Sequence, residues 1–264
     1  MGQISVIGFG LKGFGNILIE ELVNNKNVNF TKFYTRKEKF DFLYYDCSDI
    51  ESLCENYNVK YDYINEELSW NTESADLAII SSFHRVFKKE HIEKFKYVIN
   101  IHPSLLPSYK GATPTNWSLL NNETIVGLTA HIIDEKIDEG NIIFQEKLLN
   151  PYITDSEIRK SLAFLSRKII NEIISCYPNY QKILSGFKES FSPKRQEKDS
   201  VLSIDKIKSI NQLIGHIKAF TNYPMPKIKM LDGRIFIIDY LNPKDYLEIE
   251  IEDRVFNILG YWCV

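Results

Sequence analysis

One segment limits the fold of this chain more than any other, a run of apolar residues that ends in an asparagine, a histidine and a proline. Apolar residues from Val98 to Ile101 precede and separate the polar ones, which is typical of a strand covered on both faces. Pro103 cannot continue a strand ladder, so we expect the strand to end at His102. Side chains two apart on a strand share a face, so Asn100 and His102 should lie together at its carboxyl end, where open α/β sheets bind ligands.

Predicted strands alternate with predicted helices through the first 187 residues. The strands are Ile4–Gly8, Val28–Tyr34, Leu77–Ser81 and Tyr97–His102, and the helices include Ile50–Tyr57, Lys88–Phe95 and Ser156–Tyr177. This alternation predicts a Rossmann-like α/β domain over residues 1–187, with a mostly parallel sheet and helices on both faces. After Gly186 the pattern changes to a helix over Ile207–Phe220 and three strands, with a hairpin signal at Asp232-Gly233. We therefore predict a small C-terminal α+β subdomain over residues 188–264.

Composition argues against several classes of partner. The chain has 264 residues, 44% of them hydrophobic, and a net charge of −3, which favours a compact enzyme over a nucleic-acid-binding protein. The sequence shows neither a signal peptide nor an apolar run long enough to span a membrane, so we expect a cytoplasmic protein. The four cysteines lack the C-x-x-C spacing of a zinc or redox site, so we expect free thiols and no bound metal.

A candidate partner for His102 lies in an acidic loop after another predicted strand. Asp138 precedes Gly140 in that loop, and a carboxylate beside an imidazole favours the charged ring and fixes its orientation. Considered singly, a strand histidine is usually a packed core residue, and an aspartate near a glycine is usually a turn former. Considered together, Asn100, His102 and Asp138 are the candidate catalytic residues, with the histidine as general acid or base.

A glycine-rich turn after the first predicted strand offers a competing interpretation. Gly8, Gly10 and Gly13 form the G-x-G-x-x-G pattern of dinucleotide-binding turns. The acidic residue expected about 20 positions later is replaced by Arg36, which disfavours NAD. An NADP-linked oxidoreductase with Arg36 on the extra phosphate is therefore an alternative from another reaction class. We favour a tight turn within the Rossmann-like domain.

The sequence between the two candidate site segments resembles that of the folate-dependent formyltransferases. In that family an N-x-H-x-S-L-L-P strand end is followed by an R/K-G-x-x-P-x-x-W segment and then by a D-x-G loop. All three patterns occur here in that order, as residues 100–107, 110–117 and 138–140. The likeness is specific from about Ser81 to about Gln145. Within the family, this chain most resembles the enzymes that formylate nucleotide-linked amino sugars. Its catalytic core also resembles that of methionyl-tRNA formyltransferase.

The resemblance implies a role for each candidate residue. Asn100 would donate a hydrogen bond to the formyl oxygen as negative charge develops there, and His102 would manage protons during attack by the amine. Asp138 would raise the pKa of the histidine and orient its ring. The co-substrate would be 10-formyltetrahydrofolate, and no metal would be needed. Two segments would bind its pterin ring through their backbone: Val86 and Phe87, and the loop residues Asp134, Glu135, Lys136 and Ile137.

The acceptor of the formyl group follows less directly. The roughly 80 residues after Gly186 carry no dominant cationic stripe, which argues against tRNA and favours a TDP- or UDP-linked amino sugar for surface polysaccharide. Tyr109, Lys110 and Trp117 are candidate contacts to it, and packing at a helix start is an equal interpretation for Trp117. Methionyl-tRNA or a small amine as acceptor, and a non-catalytic folate-binding protein, are the alternatives. Exposed strand edges and the habit of the family predict a homodimer.

Overall fold

Strands and helices alternate along most of the chain. The computed structural model describes residues 2–37, 47–64, 71–134, 136–149, 154–220, 224–239 and 244–263. Its strands are β1 (Ile4–Gly10), β2 (Val28–Thr35), β3 (Tyr61–Tyr63), β4 (Ala75–Ser81), β5 (Phe95–His102), β6 (Lys110–Gly111), β7 (Ile125–Ile132), β8 (Ile142–Leu149), β9 (Phe191–Ser192), β10 (Val201–Ser203), β11 (Lys227–Lys229), β12 (Ile235–Ile238), β13 (Asp245–Ile251) and β14 (Arg254–Cys263). Its α-helices are α1 (Phe14–Val23), α2 (Ile50–Asn56), α3 (Lys89–Ile92), α4 (Pro114–Leu120), α5 (Asp155–Cys176) and α6 (Ile210–Ala219). None of these helices is long and apolar enough to cross a membrane.

The chain divides into two units that interleave along the sequence. The first unit comprises Met1–Gly111, Val126–Leu148 and Arg159–Phe191, and the second comprises Ala112–Ile125, Leu149–Ile158 and Ser192–Val264. The division at residue 187 stays a prediction.

The first unit contains a seven-stranded sheet within the described part of the chain, in the order β3-β2-β1-β4-β5-β7-β8. The strands from β3 to β5 in that order pair in parallel, whereas β5 and β7 are antiparallel. In the β5–β7 pairing, Asn100 lies opposite His131 and His102 lies opposite Thr129. The predicted mostly parallel, Rossmann-like α/β sheet is confirmed.

The central strands of this sheet are covered on both faces, and their apolar residues accordingly run continuously rather than alternating with polar ones. Ile7 of β1, Ile79 of β4 and Ile99 of β5 are fully buried. The predicted helix over Lys88–Phe95 is wrong in length, because α3 covers four residues and Phe95 begins β5. Phe95 packs in a cluster with Phe9 and its neighbours, and burying that ring in the core outweighs the local helical pattern.

The glycine-rich turn between β1 and α1 allows a close approach of backbone segments. A Cβ on Gly10 would lie 2.8 Å from the carbonyl oxygen of Ser81, which is closer than side chains tolerate. Gly13 has a φ of 93°, and its N–H donates to the side-chain oxygen of Asn16 at 2.8 Å. The turn therefore uses glycine for packing and for a left-handed backbone, and its capping contact lies within the protein.

The second unit contains a five-stranded sheet among its described residues, in the order β10-β11-β12-β14-β13. Apolar residues alternate along β13. One of them, Ile249, packs in a cluster with Leu213 of α6 and Phe236 of β12. The predicted hairpin at Asp232-Gly233 is confirmed, because it joins the antiparallel strands β11 and β12. The helix predicted from Ile207 begins instead at Ile210, because the hydroxyl of Ser209 accepts a hydrogen bond from the N–H of Gln212 and caps its first turn.

Candidate active site

The candidate catalytic strand β5 ends where its backbone meets a loop held by β7. Thr129 of β7 lies opposite His102, and its hydroxyl accepts from the N–H of Leu106 at 3.0 Å and donates to the carbonyl of Ser104 at 2.7 Å. The loop that follows β7 is closed by Gly140, where a Cβ would lie 1.7 Å from the carbonyl oxygen of Ile132. These contacts hold two loops beside the end of β5, the loop that follows β5 and the loop that follows β7. The loop that follows β7 carries Asp138.

The carboxylate of Asp138 joins two histidines. Its Oδ2 lies 3.6 Å from Nδ1 of His102, and its Oδ1 lies 3.4 Å from Nε2 of His131. The backbone N–H of Gly111 donates to Oδ2 at 2.8 Å. Asp138 itself has a left-handed backbone, with a φ of 54°, which turns its side chain toward β5 and β7.

The electrostatics of this site stabilise the charged carboxylate. Burial by itself raises the pKa of Asp138, but the hydrogen bond from His131, the charge of His102 and the N–H of Gly111 together lower the pKa to about 2. Its side chain is 11% exposed, so water screens these interactions weakly. We conclude that the loop presents a negative charge to the ring of His102 at neutral pH.

His102 is buried, with 4% of its surface exposed. Burial lowers its pKa below the ordinary value of a histidine, and this effect outweighs the opposing charge of Asp138 and the carbonyl of Tyr109. A positive charge on His131 would act in the same direction as burial. Asp138 thus acts on the ring in the predicted direction, yet the net result is a ring that is neutral at neutral pH and able to accept a proton.

His131 is a residue of the site that sequence reasoning missed. It is 1% exposed, and its Nε2 lies 3.1 Å from the amide nitrogen of Asn100 as well as near Asp138. One ring nitrogen either accepts from the amide or donates to the carboxylate, so the tautomer of His131 couples these two groups. The signal for it is the antiparallel register of β5 and β7, which sequence periodicity does not contain.

The candidate acceptor contacts lie in different surroundings. Tyr109 has a φ of 58°, and its carbonyl oxygen lies 3.0 Å from Nε2 of His102. The ammonium of Lys110 lies 2.6 Å from Glu189 and 3.5 Å from Glu139, so two carboxylates already contact it. Trp117 belongs to α4 in the second unit, and its indole N–H donates to the carbonyl of Pro193 at 2.9 Å.

The two predicted pterin-binding segments combine buried and exposed apolar residues. Val86 and Ile137 are 63% and 59% exposed, whereas Phe87 is buried against Phe9 with 4.9 Å between ring centroids. Ile133, just before the second segment, packs against the same apolar cluster as Phe87. The carboxylate of Asp134 accepts from the N–H of Lys136 at 2.9 Å. Glu135 lies outside the described residues.

A comparison with known families identifies the class of protein. Residues 13–174 match the family described as formyl transferase. The chain therefore belongs to the formyl transferase family, as the motifs predict.

One curated relative and two solved structures are similar to this chain over most of its length. The methionyl-tRNA formyltransferase of Borreliella burgdorferi (strain ZS7) is 29% identical over 198 residues, covering 70% of this chain and 60% of that protein. The chain spans from 25% to 60% of the length of the curated relatives that it matches. The fold is similar to that of WlaRD, a sugar 3N-formyl transferase solved in the presence of dTDP and 5-N-formyl-THF, with a TM-score of 0.70, 21% identity and coverage of 99% of this chain and 98% of that one. It is also similar to the N-formyltransferase of Helicobacter canadensis in complex with folinic acid and dTDP-3-aminofucose, with a TM-score of 0.65, 21% identity and coverage of 98% and 100%.

Proposed function

We propose that this protein transfers the formyl group of 10-formyltetrahydrofolate to the amino group of a nucleotide-linked amino sugar. The observation that carries this proposal is the buried network that joins Asn100, His131, Asp138 and His102 at the carboxyl end of β5. Membership of the formyl transferase family supports the reaction class. We infer a TDP-linked amino-deoxy sugar as the acceptor, formylated for surface polysaccharide such as the O-antigen of lipopolysaccharide.

The predicted pterin-binding segments fit a flat, partly apolar co-substrate. Val86 and Ile137 expose apolar side chains to solvent, and a flat ring that covered them would remove that apolar surface from water. Phe87 and Ile133 support the two segments from one packed cluster. When bound, 10-formyltetrahydrofolate would supply a formyl group that is activated for transfer. The folates present in these two similar formyltransferase structures support this assignment.

Residues of the chain can perform the proton transfers and charge stabilisation that the reaction requires. His102, kept neutral by burial, accepts the proton that the amine loses as its nitrogen bonds to the formyl carbon. Asn100 donates an amide N–H to the formyl oxygen as negative charge develops there. His102 then returns the proton to the folate nitrogen as the original carbon–nitrogen bond breaks, and the ring is neutral again. Asp138 stabilises the ring while it is charged.

Charge and structural likeness support a sugar nucleotide as the acceptor. A net charge of −3 provides no general attraction for a polyanion such as tRNA. One similar structure was solved in the presence of dTDP and the other in complex with a dTDP-linked sugar, and they cover 99% and 98% of this chain. We keep Tyr109, Lys110 and Trp117 as candidate contacts. A diphosphate bound at Lys110 would have to replace Glu189 or Glu139 as partner of the ammonium.

Methionyl-tRNA is the second candidate acceptor, because relatives with that activity match up to 70% of the chain. The NADP-linked oxidoreductase is disfavoured by the glycine-rich turn. The N–H of Gly13, at the N-terminal end of α1, would face a dinucleotide phosphate in such an enzyme. Here that N–H donates to the side-chain oxygen of Asn16.

The proposal is tested by incubating the protein with 10-formyltetrahydrofolate and a panel of TDP- and UDP-linked amino sugars, followed by mass spectrometry. We expect one sugar to gain one formyl group, and His102→Asn to abolish the gain. Parallel reactions contain methionyl-tRNA, small amines, or NADPH with a carbonyl substrate. Formylation of methionyl-tRNA alone would replace the proposed acceptor, whereas oxidation of NADPH would replace the reaction class. Folate binding without turnover of any acceptor would favour the non-catalytic folate-binding protein.

A further inference from the structure

Ser190 lies 88 positions after His102 in the sequence and is hydrogen-bonded to the loop that follows β5. Its N–H donates to the carbonyl of Pro107 at 3.2 Å, and its carbonyl accepts from the N–H of Lys110 at 2.9 Å. Its hydroxyl accepts from the N–H of Tyr109 at 2.9 Å. Ser190 thus holds the loop through both of its backbone groups and its side chain.

The residues before Ser190 strengthen the same attachment. The hydroxyl of Ser108 donates to the carbonyl of Lys188 at 2.5 Å, and the ammonium of Lys110 lies 2.6 Å from the carboxylate of Glu189. We call residues 188–190 the strap. It belongs to the first unit, together with β5 and the Asp138 loop.

The loop held by the strap contacts both members of the candidate acid–base pair. The carbonyl oxygen of Tyr109 lies 3.0 Å from Nε2 of His102, and the N–H of Gly111 donates to the carboxylate of Asp138 at 2.8 Å. A displacement of this loop would therefore act on both groups at once.

Tyr109 needs external support to hold its conformation. Its φ of 58° lies in the left-handed region, which is unfavourable for a residue with a large side chain. Ser190 binds the N–H groups of the two peptide units that flank the Tyr109 Cα, one through its hydroxyl and one through its carbonyl. Fixing both peptide units fixes the direction of the Tyr109 carbonyl.

We propose that Ser190 is a positioning residue for formyl transfer: through Tyr109 it holds a carbonyl oxygen against Nε2 of His102 and keeps the ring hydrogen on that nitrogen. A carbonyl oxygen only accepts hydrogen bonds, so Nε2 must carry hydrogen. In the neutral ring the free electron pair then lies on Nδ1, which faces Asp138. The proposal rests on the proposed function, in which His102 accepts the proton of the amine. Asp138 and His131 are the charged or titratable groups that face the ring.

The test measures the ring directly and the reaction separately. Full-length protein with ¹⁵N-labelled histidine is examined by NMR at a pH where His102 is neutral, and its signals are assigned by comparison with His102→Gln. We expect hydrogen on Nε2 in the wild type and a mixture of tautomers in Ser190→Ala. We also expect kcat to fall roughly three- to tenfold in Ser190→Ala, the range for loss of one ordinary hydrogen bond, with KM for both substrates unchanged.

Two further variants separate positioning from general support of the strap. Ser190→Thr keeps a hydroxyl and should restore both the ring signals and kcat. Ser108→Ala removes a different hydrogen bond to the strap and should leave both unchanged.

Three results would overturn the proposal. These are hydrogen on Nδ1 of neutral His102 in the wild type, wild-type ring signals in Ser190→Ala, and the same loss in Ser108→Ala as in Ser190→Ala. The ring spectrum requires no turnover. A protein that formylates no sugar would therefore refute the proposed function, while the spectrum still decides the Ser190 contact.

Discussion

Asp138→Asn should destabilise the protein by an amount that depends on pH. Burial alone raises the pKa of Asp138, but two histidines and the N–H of Gly111 hold it at about 2, against an ordinary value of 3.8. This lowering corresponds to about 2 kcal/mol of stability, fully present above about pH 5 and lost as the pH falls through the folded pKa. By pH 3, about half of it is lost. Because asparagine does not titrate, the difference in unfolding free energy between wild type and variant should shrink by about 1 kcal/mol between about pH 6 and pH 3.

Urea unfolding followed by circular dichroism at several pH values measures this difference. Glu139→Gln is the matched control, because it removes the neighbouring carboxylate, which is more exposed than Asp138 and contacts two lysines. An exposed ion pair contributes little to stability, so the control should show a much smaller dependence on pH. A difference for Asp138→Asn that stays constant or grows as the pH falls would refute the assignment of a stabilising, charged carboxylate to this site.

Three other substitutions test separate parts of the structure. Asn100→Ala should lower kcat by about a hundredfold in the formylation assay, with KM for folate nearly unchanged, because it removes a donor to the developing oxyanion. Tyr109→Asn removes the ring but tolerates a left-handed backbone, so it should raise KM for the sugar nucleotide and retain kcat; unchanged sugar kinetics would remove Tyr109 as a contact. Gly10→Ala should destabilise the protein by about 1–3 kcal/mol in urea unfolding, because its Cβ would lie 2.8 Å from a carbonyl oxygen of Ser81, whereas Gly2→Ala meets nothing within 4 Å and should be neutral.

The parts of the site that sequence predicts best depend on local geometry. The period of two along a strand places Asn100 and His102 together, and Pro103 marks where that strand ends. Both residues do lie at the end of β5, within a network that also includes Asp138. The same local reasoning fails at Phe95, where a core contact converts a helical pattern into the start of a strand.

The parts that sequence does not predict depend on contacts between distant segments. His131 joins the site because β7 runs antiparallel to β5 and brings it opposite Asn100. Ser190 joins it because the strap crosses the loop that contains Tyr109. Neither position carries a periodic or capping signal.

The network at the end of β5 has one negative charge and two histidines, and this ratio limits how many protons it holds. Asp138 contacts both rings, so its charge can compensate one imidazolium. A positive charge on His131 lowers the pKa of His102, so His102 takes up a proton less readily when His131 is charged. The network therefore favours a single mobile proton over two. The proposed reaction needs a group that holds one proton, because one proton leaves the amine and one returns to the departing nitrogen. The tautomer of His131 links this network to the amide of Asn100.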